Sequence, residues 1–219
     1  MSREDFAEVE AILFDAGSTL VTEISCYKKR IKDTIEKNRL SLSEDVFFAL
    51  ILEGAKLQQN PYDYAMKKLA IPERVPWDFS SEEVYPGVQD LLKALQAHYR
   101  LGMIANQPPH FAPRIKKLGL TPYFEFVLGS EDVGMKKPDP SFFALALNQF
   151  QLPAAKVLMV GDRLENDIRP AKTLGMKTIW VKQGVSRLEY PFDDGEIPSA
   201  SVGEITEIAS LLLREKKAF

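Results

Sequence analysis

From Pro86 onward the chain alternates short apolar runs with amphipathic stretches, and this alternation limits the possible folds more than any other feature. The runs lie at residues 101–105, 124–128, 157–160 and 178–181. Around them the apolar spacing turns helical, at about 88–99, 111–118, 140–150, 168–174 and from about residue 203. Apolar runs of this length fit strands buried on both faces, whereas the longer periodic stretches fit helices. Strands separated by helices do not pair as hairpins, so the sheet is expected to be parallel with right-handed crossovers. One more run, at residues 11–15, ends in Asp15 and is followed by Gly17-Ser18-Thr19, which cannot readily extend it. Asp15 is therefore expected where a strand turns into a loop.

Residues 22–84 have a different texture and read as helices only. Ser41-Leu42-Ser43-Glu44 has the Ser-x-x-Glu form of a capping box and leads into Val46, Phe47, Leu50 and Leu57. Asn60-Pro61 predicts an N-cap with proline at the first helical position, ahead of Tyr64, Ala65, Met66 and Leu69, and Tyr27, Ile31 and Ile35 form a stripe at i, i+4 spacing. Because the first run has no helix of its own in the alternating series, the simplest architecture is α/β. A doubly wound parallel-sheet core is expected from residues 8–21 and 85–219, with a small helical cap inserted at 22–84. The chain shows neither an internal repeat nor a low-complexity tract.

A chain of 219 residues with 45% hydrophobic content can bury a full core and carry one modest extra module. Its formal net charge of -3, with both signs interspersed, offers no basic stripe for nucleic acid and no polybasic membrane anchor. The charged start Ser2-Arg3-Glu4-Asp5 and the shortness of every apolar run lead to the expectation of a cytoplasmic protein without a signal or membrane span. A lone Cys26 rules out an internal disulfide and a cysteine-rich metal site, and fits a reducing compartment.

Side chains at the C-terminal edge of a parallel sheet converge on one crevice. The first strand end contributes Asp15, the second Asn106, the segment after the third, "GMKKPDP", Lys136 and Lys137, and the fourth, in "VGDRLENDI", Asp162, Asn166 and Asp167. Carboxylates from separate strands with a lysine nearby describe a place for one hard divalent cation and one anionic group, because magnesium takes few carboxylates and completes its shell with water and phosphate oxygens. Taken singly, each motif has a plainer reading: an acid at a turn, a capped helix at Asp139-Pro140, an acidic loop. Together, in this order and each after a predicted strand, they describe a phosphate-handling pocket.

In these features the sequence resembles the haloacid dehalogenase (HAD) superfamily, over nearly the whole chain. "FDAGSTL" matches the first motif at Asp15 and Thr19, "KPDPSFF" matches the third at Lys137, and "VGDRLENDI" matches the fourth at Asp162 and Asp167. Two positions depart: the second acid of the first motif is Gly17, and the second-motif hydroxyl is replaced by Ala105, ahead of Asn106. The resemblance implies a Rossmann-like core with a C1-type cap and a Mg2+-dependent hydrolase acting on a small phosphorylated substrate. Asp15 would be the nucleophile forming an aspartyl-phosphate. Asp15, the Gly17 carbonyl and Asp162, with Asp167 in or near the shell, would hold the metal. Lys137 would offset charge, and the phosphate would be held at Ala105 and Asn106 by the Asn106 backbone N–H and amide. Missing is the acid that protonates the leaving alcohol, normally the residue at position 17. Two readings stay open: a phosphatase that is slow, restricted to good leaving groups or supplied with an acid from the cap, and a binding or regulatory protein that keeps the pocket without turnover. The dehalogenase branch is disfavoured, since its partner residues around the first motif are not evident. Substrate identity and oligomeric state are not readable.

Four further features are weighed against plainer roles. His110, four residues after Asn106, is taken as a solvated histidine opening a helix in preference to a proton donor, and His98 is given no role. Lys28, Lys29 and Arg30 are taken as a wet helix face in preference to an anion-binding patch. Trp77 and Phe79 either line a pocket or pack the return to the core.

Overall fold

The computed structural model describes residues 6–213, so the charged Ser2-Arg3-Glu4-Asp5 stretch lies outside it. In chain order its elements are β1 (Ala11–Phe14), β2 (Val21–Thr22), α1 (Ile24–Lys37), α2 (Glu44–Lys56), α3 (Pro61–Lys68), β3 (Glu83–Val84), α4 (Val88–Gln96), β4 (Arg100–Ala105), α5 (Phe111–Lys117), β5 (Phe126–Gly129), α6 (Ser130–Val133), α7 (Pro140–Phe150), β6 (Val157–Gly161), α8 (Arg169–Thr173), β7 (Lys177–Val181), β8 (Ala200–Val202) and α9 (Ile208–Leu212), joined by short 3-10 turns.

Six strands form one sheet in the order β5-β4-β1-β6-β7-β8, every pair parallel. β1 lies inside the sheet, and its alternating side chains explain why it reads as a continuous apolar run. Ile12 and Phe14 enter one core with Val88, Leu92 and Leu95 of α4, Phe111 of α5 and Ile208 of α9, while Ala11 and Leu13 enter the opposite core with Phe142, Phe143 and Phe150 of α7. Helices thus cover both faces, which is the α/β doubly wound arrangement expected. Gly102 in β4 lets the rings of Phe126 and Phe150 close over the sheet: a Cβ there would come within 2.4 Å of Phe126.

The helices α1, α2 and α3 gather a separate apolar cluster of Tyr27, Ile31, Phe47, Ile51, Tyr62, Ala65 and Met66, which Val185 joins from the loop after β7. Local capping differs in one place from the sequence expectation. Ser43, not Ser41, caps α2 and accepts from the Val46 N–H at 3.3 Å, and the inward face is Phe47, Ile51 and Ala55, leaving Val46 52% exposed. Asn60 and Asp139 cap α3 and α7 as expected, accepting from the Asp63 and Ser141 N–H groups. The stretch 22–84 is not wholly helical either. β2 and β3 pair antiparallel through Val21↔Val84 and Thr22↔Glu83, tying together the two chain crossings at the foot of the helical segment. The strand β8 was also unforeseen: three residues with alternating burial leave too short a pattern to read.

Candidate active site

The crevice lies at the C-terminal edge of the sheet, beyond β1, β4 and β6. The Asp15 N–H continues the sheet by donating to the Val160 carbonyl at 2.9 Å, which fixes the backbone from which its carboxylate leaves. Asp162 follows β6, and its own carbonyl accepts from the indole Nε1 of Trp180 on β7 at 2.8 Å. Asp167 comes from a wide turn of π type at Leu164–Ile168, a helical irregularity often found at functional sites. It packs so closely over the end of β6 that a Cβ on Gly161 would fall 2.4 Å from its Cγ.

Of the two lysines in "GMKKPDP", Lys136 is exposed and Lys137 is 3% exposed. The Lys137 ammonium stands 2.5 Å from Asp15 Oδ1 and 2.5 Å from Asp167 Oδ1. Its loop is held by Asn106, whose Oδ1 accepts from the Lys137 N–H at 2.7 Å and whose Nδ2 donates to the Lys137 carbonyl at 2.7 Å. The Asn106 side chain therefore clamps the lysine loop with its Oδ1 and one Nδ2 hydrogen, at the wall of the same crevice. Ala105 is fully buried at the end of β4 and presents only a methyl group. The Thr19 hydroxyl lies 3.3 Å from Asp15 Oδ2 and 3.4 Å from Asp162 Oδ1, between the two carboxylates.

Electrostatically the crevice has more negative than positive charge. Burial would depress the Lys137 ammonium, but Asp15 and Asp167 override it and hold it firmly protonated. Asp162 is pushed well above the ordinary carboxylate range, first by burial and then by repulsion from Asp15 and Asp167. Asp167 is pushed up to about 6 by burial, against the pull of Lys137. Oxygens of Asp15, Asp162 and Asp167 lie within 4.8 Å of one another. An oxygen-only donor set with an excess of crowded carboxylates fits a hard divalent cation. Asp167 is the most committed of the three, since Oδ1 meets Lys137 and Oδ2 accepts from the Arg163 N–H at 3.0 Å.

The wall beside Asp15 departs most from expectation. The sequence leaves position 17 without an acid, and the structure places the carboxylate of Glu23 there. Its Oε2 accepts from the Ser18 hydroxyl at 3.2 Å. Its carboxyl is raised to about 7 by burial, then by repulsion from Asp15 and Glu82, with the Ser18 hydrogen bond opposing. Glu23 escaped notice because it stands eight residues from Asp15, where spacing carries no message; the only signal was an acid between the first strand and the first helix. The left-handed residue of this loop is Ser18, at φ 57°, and not Gly17.

A sequence comparison decides the kinship: the model of haloacid dehalogenase-like hydrolases matches residues 9–175. The chain belongs to this family. Its relatives include the glyceraldehyde 3-phosphate phosphatase of Pyrococcus furiosus, 30% identical and covering 94% of each chain. That of Pyrococcus abyssi is 31% identical over 80% of this chain and 82% of its own. Among solved structures, a HAD phosphatase of Thermococcus onnurineus superposes with a TM-score of 0.62 at 22% identity, over 93% of this chain and 97% of its own. A Bacillus subtilis protein of the HAD-hydrolase type, YfnB, solved bound to magnesium, superposes with a TM-score of 0.72 at 19% identity, over 94% and 99%. The curated relatives make this HAD chain an enzyme of the hydrolase and phosphatase kind.

The remaining candidates sort by position in this HAD fold. His110 is exposed at the head of α5, where its backbone N–H donates to Asp132, and His98 is also exposed. Lys28 and Lys29 face solvent, Lys29 pairing with Asp33 at 2.8 Å. Arg30 departs from the wet-face expectation: it is half-buried over the Tyr62 ring, 3.4 Å from the centroid, and donates to the Val75 carbonyl at 2.8 Å. With Trp77 and Phe79 it lines an upper cavity of about 430 Å³ above the carboxylate crevice, and the two aromatics pack as well, Trp77 edge-on to Tyr27 and Phe79 under Arg114.

Proposed function

We propose that this protein is a magnesium-dependent phosphatase of small phosphorylated molecules, working through an aspartyl-phosphate on Asp15. The observation that carries this reading is the buried Lys137 ammonium, held at 2.5 Å from both Asp15 and Asp167 within a three-carboxylate crevice. One oxygen of Asp15 is thereby restrained by the lysine, and its carboxylate is presented as a nucleophile of fixed orientation. Lys137 also offsets the charge that gathers as Asp15 approaches an anionic phosphoryl group.

Asp15, the Gly17 backbone carbonyl and Asp162 would hold the metal, with Asp167 in or beside the same shell. When bound, the cation neutralises charge on the phosphoryl oxygens and on the nucleophile. Asp167 acts chiefly through Lys137, and Asn106 acts by holding the lysine loop. The helical segment 22–84 serves as a C1-type cap whose upper cavity receives the organic part of the substrate. The oxygen-rich site, the family's phosphatases and the magnesium found in a structural relative support this assignment.

The test is hydrolysis of p-nitrophenyl phosphate with magnesium and with a chelator, on wild type and Asp15→Asn. Turnover that needs magnesium and disappears in the variant is the expected result, with a single acid-stable, base-labile phosphate trapped on the wild-type chain. Wild-type rates from Asp15→Asn would refute the nucleophile. Binding of vanadate without turnover of any phosphate would assign the pocket to a regulatory or binding role instead.

A further inference from the structure

Gly17 stands where the family resemblance would place a second carboxylate, yet the space in front of it is filled. A Cβ on Gly17 would lie 2.6 Å from Oε1, 2.8 Å from Cδ and 2.9 Å from Oε2 of Glu23. These separations are shorter than any ordinary contact, so the Glu23 carboxylate occupies the volume into which a side chain at position 17 would grow. The exchange is mutual, because any residue larger than glycine at 17 would expel Glu23.

Glu23 is the N-cap residue of α1 but makes no side-chain capping bond, so its carboxylate can turn back toward the crevice. The Ser18 hydroxyl holds it there, from a backbone position in the left-handed region that turns Ser18 out of the strand direction. Glu23 also stands at a junction. The lower crevice holds Asp15, Lys137 and Asp162; the upper cavity holds Arg30, Trp77 and Phe79; and Glu23 lines both. A phosphate ester with phosphorus at Asp15 and its organic group in the upper cavity has its bridging oxygen at this junction, which Tyr27, Asn106 and Gln107 also line and where Glu23 is the one carboxyl group among the four.

We propose that Glu23, reaching the crevice from the first cap helix, is the proton-transfer residue of this enzyme. The proposal rests on the phosphatase reading above. In the first step an Asp15 oxygen forms a bond to phosphorus as the bond to the ester oxygen breaks, and the proton on Glu23 passes to the departing alkoxide, releasing a neutral alcohol. In the second step Glu23, now a carboxylate, takes a proton from water as the water oxygen bonds to phosphorus. The Asp15–phosphorus bond then breaks, phosphate leaves, and Glu23 is again protonated.

The discriminating variant is Glu23→Gln, which keeps shape and polarity but has no acidic proton. On alkyl phosphates its kcat/KM is expected to fall about 10²- to 10⁴-fold, the usual contribution of a positioned acid. On p-nitrophenyl phosphate, whose leaving group needs no proton, kcat/KM should fall less than about five-fold. Its kcat should fall further, with a burst of about one equivalent of p-nitrophenol as phosphoenzyme accumulates without a base. Vanadate affinity and melting temperature report on an intact pocket independently of turnover. A rescue arm pairs Glu23→Ala with Gly17→Asp: the double variant should recover alkyl phosphate turnover at least ten-fold over Glu23→Ala alone, whereas Gly17→Asp in the presence of Glu23 should not improve on wild type. Equal losses of kcat/KM on alkyl and aryl phosphates, or wild-type alkyl turnover by Glu23→Gln while Asp15→Asn is dead, would overturn the role of Glu23 and leave the phosphatase standing. No turnover of any phosphate by wild type would overturn both.

Discussion

Lys137→Ala tests how far the site is held together by its own charges. The ammonium is 3% exposed and makes its bonds to Asp15 and Asp167 inside the protein, not on a wet surface. Removing it leaves both carboxylates, with Asp162 alongside, buried without their cation. Breaking a buried pair from one side costs about 3–5 kcal/mol. In a domain of this size that corresponds to a fall in melting temperature of about 6–20 °C. The loss must grow with pH. Asp167, already raised to about 6 by burial, rises further once Lys137 no longer opposes the shift. A carboxyl whose folded pKa is raised favours the folded state below its unfolded pKa, and that contribution is lost as pH rises through the folded value. The deficit of the variant is therefore smallest near pH 5 and largest by pH 8 in metal-free buffer. Magnesium should narrow it by restoring positive charge to the crevice. The assay is thermal unfolding of wild type and variant in EDTA from pH 5 to 8, repeated with magnesium. A variant that melts within about 2 °C of wild type across the range would refute the reasoning and make Lys137 a surface-like group whose bonds to Asp15 and Asp167 contribute nothing.

Two further outcomes follow from the packing. Gly161→Ala would drive a methyl to within 2.4 Å of Asp167 Cγ. It should cost about 1–3 kcal/mol as an overpacked site and weaken vanadate binding by displacing Asp167 from Lys137; calorimetric affinity equal to wild type would contradict this. Cys26 is buried, with its thiol pushed up from 9.0 to about 11, first by burial and then by the charges of Glu82 and Glu23. At pH 8 iodoacetamide should therefore alkylate it about a hundred-fold more slowly than an unperturbed thiol, and at the unperturbed rate only after denaturation.

The parts of this protein legible in its sequence are those governed by local periodicity. The alternation after Pro86 determined a parallel sheet because strands and helices bury different repeats, and β1 showed as unbroken apolar chain because Ile12 and Phe14 feed one core while Ala11 and Leu13 feed the other. The acids and the lysine of the crevice were legible because Asp15 and Asp162 stand where β1 and β6 end, while Lys137 and Asp167 lie on the segments that follow β5 and β6, and topology sends all of these to the same edge. Tertiary structure decided what depends on contact between distant segments. It separated buried Lys137 from exposed Lys136, turned the Asn106 amide onto the lysine loop, drew Arg30 over Tyr62, and brought the carboxylate of Glu23 into the space left by Gly17. The sequence showed the missing side chain at position 17 because identity at one position is a local property. What fills the gap is set by the packing of α1 against the loop after β1, and no periodicity along the chain encodes that distance.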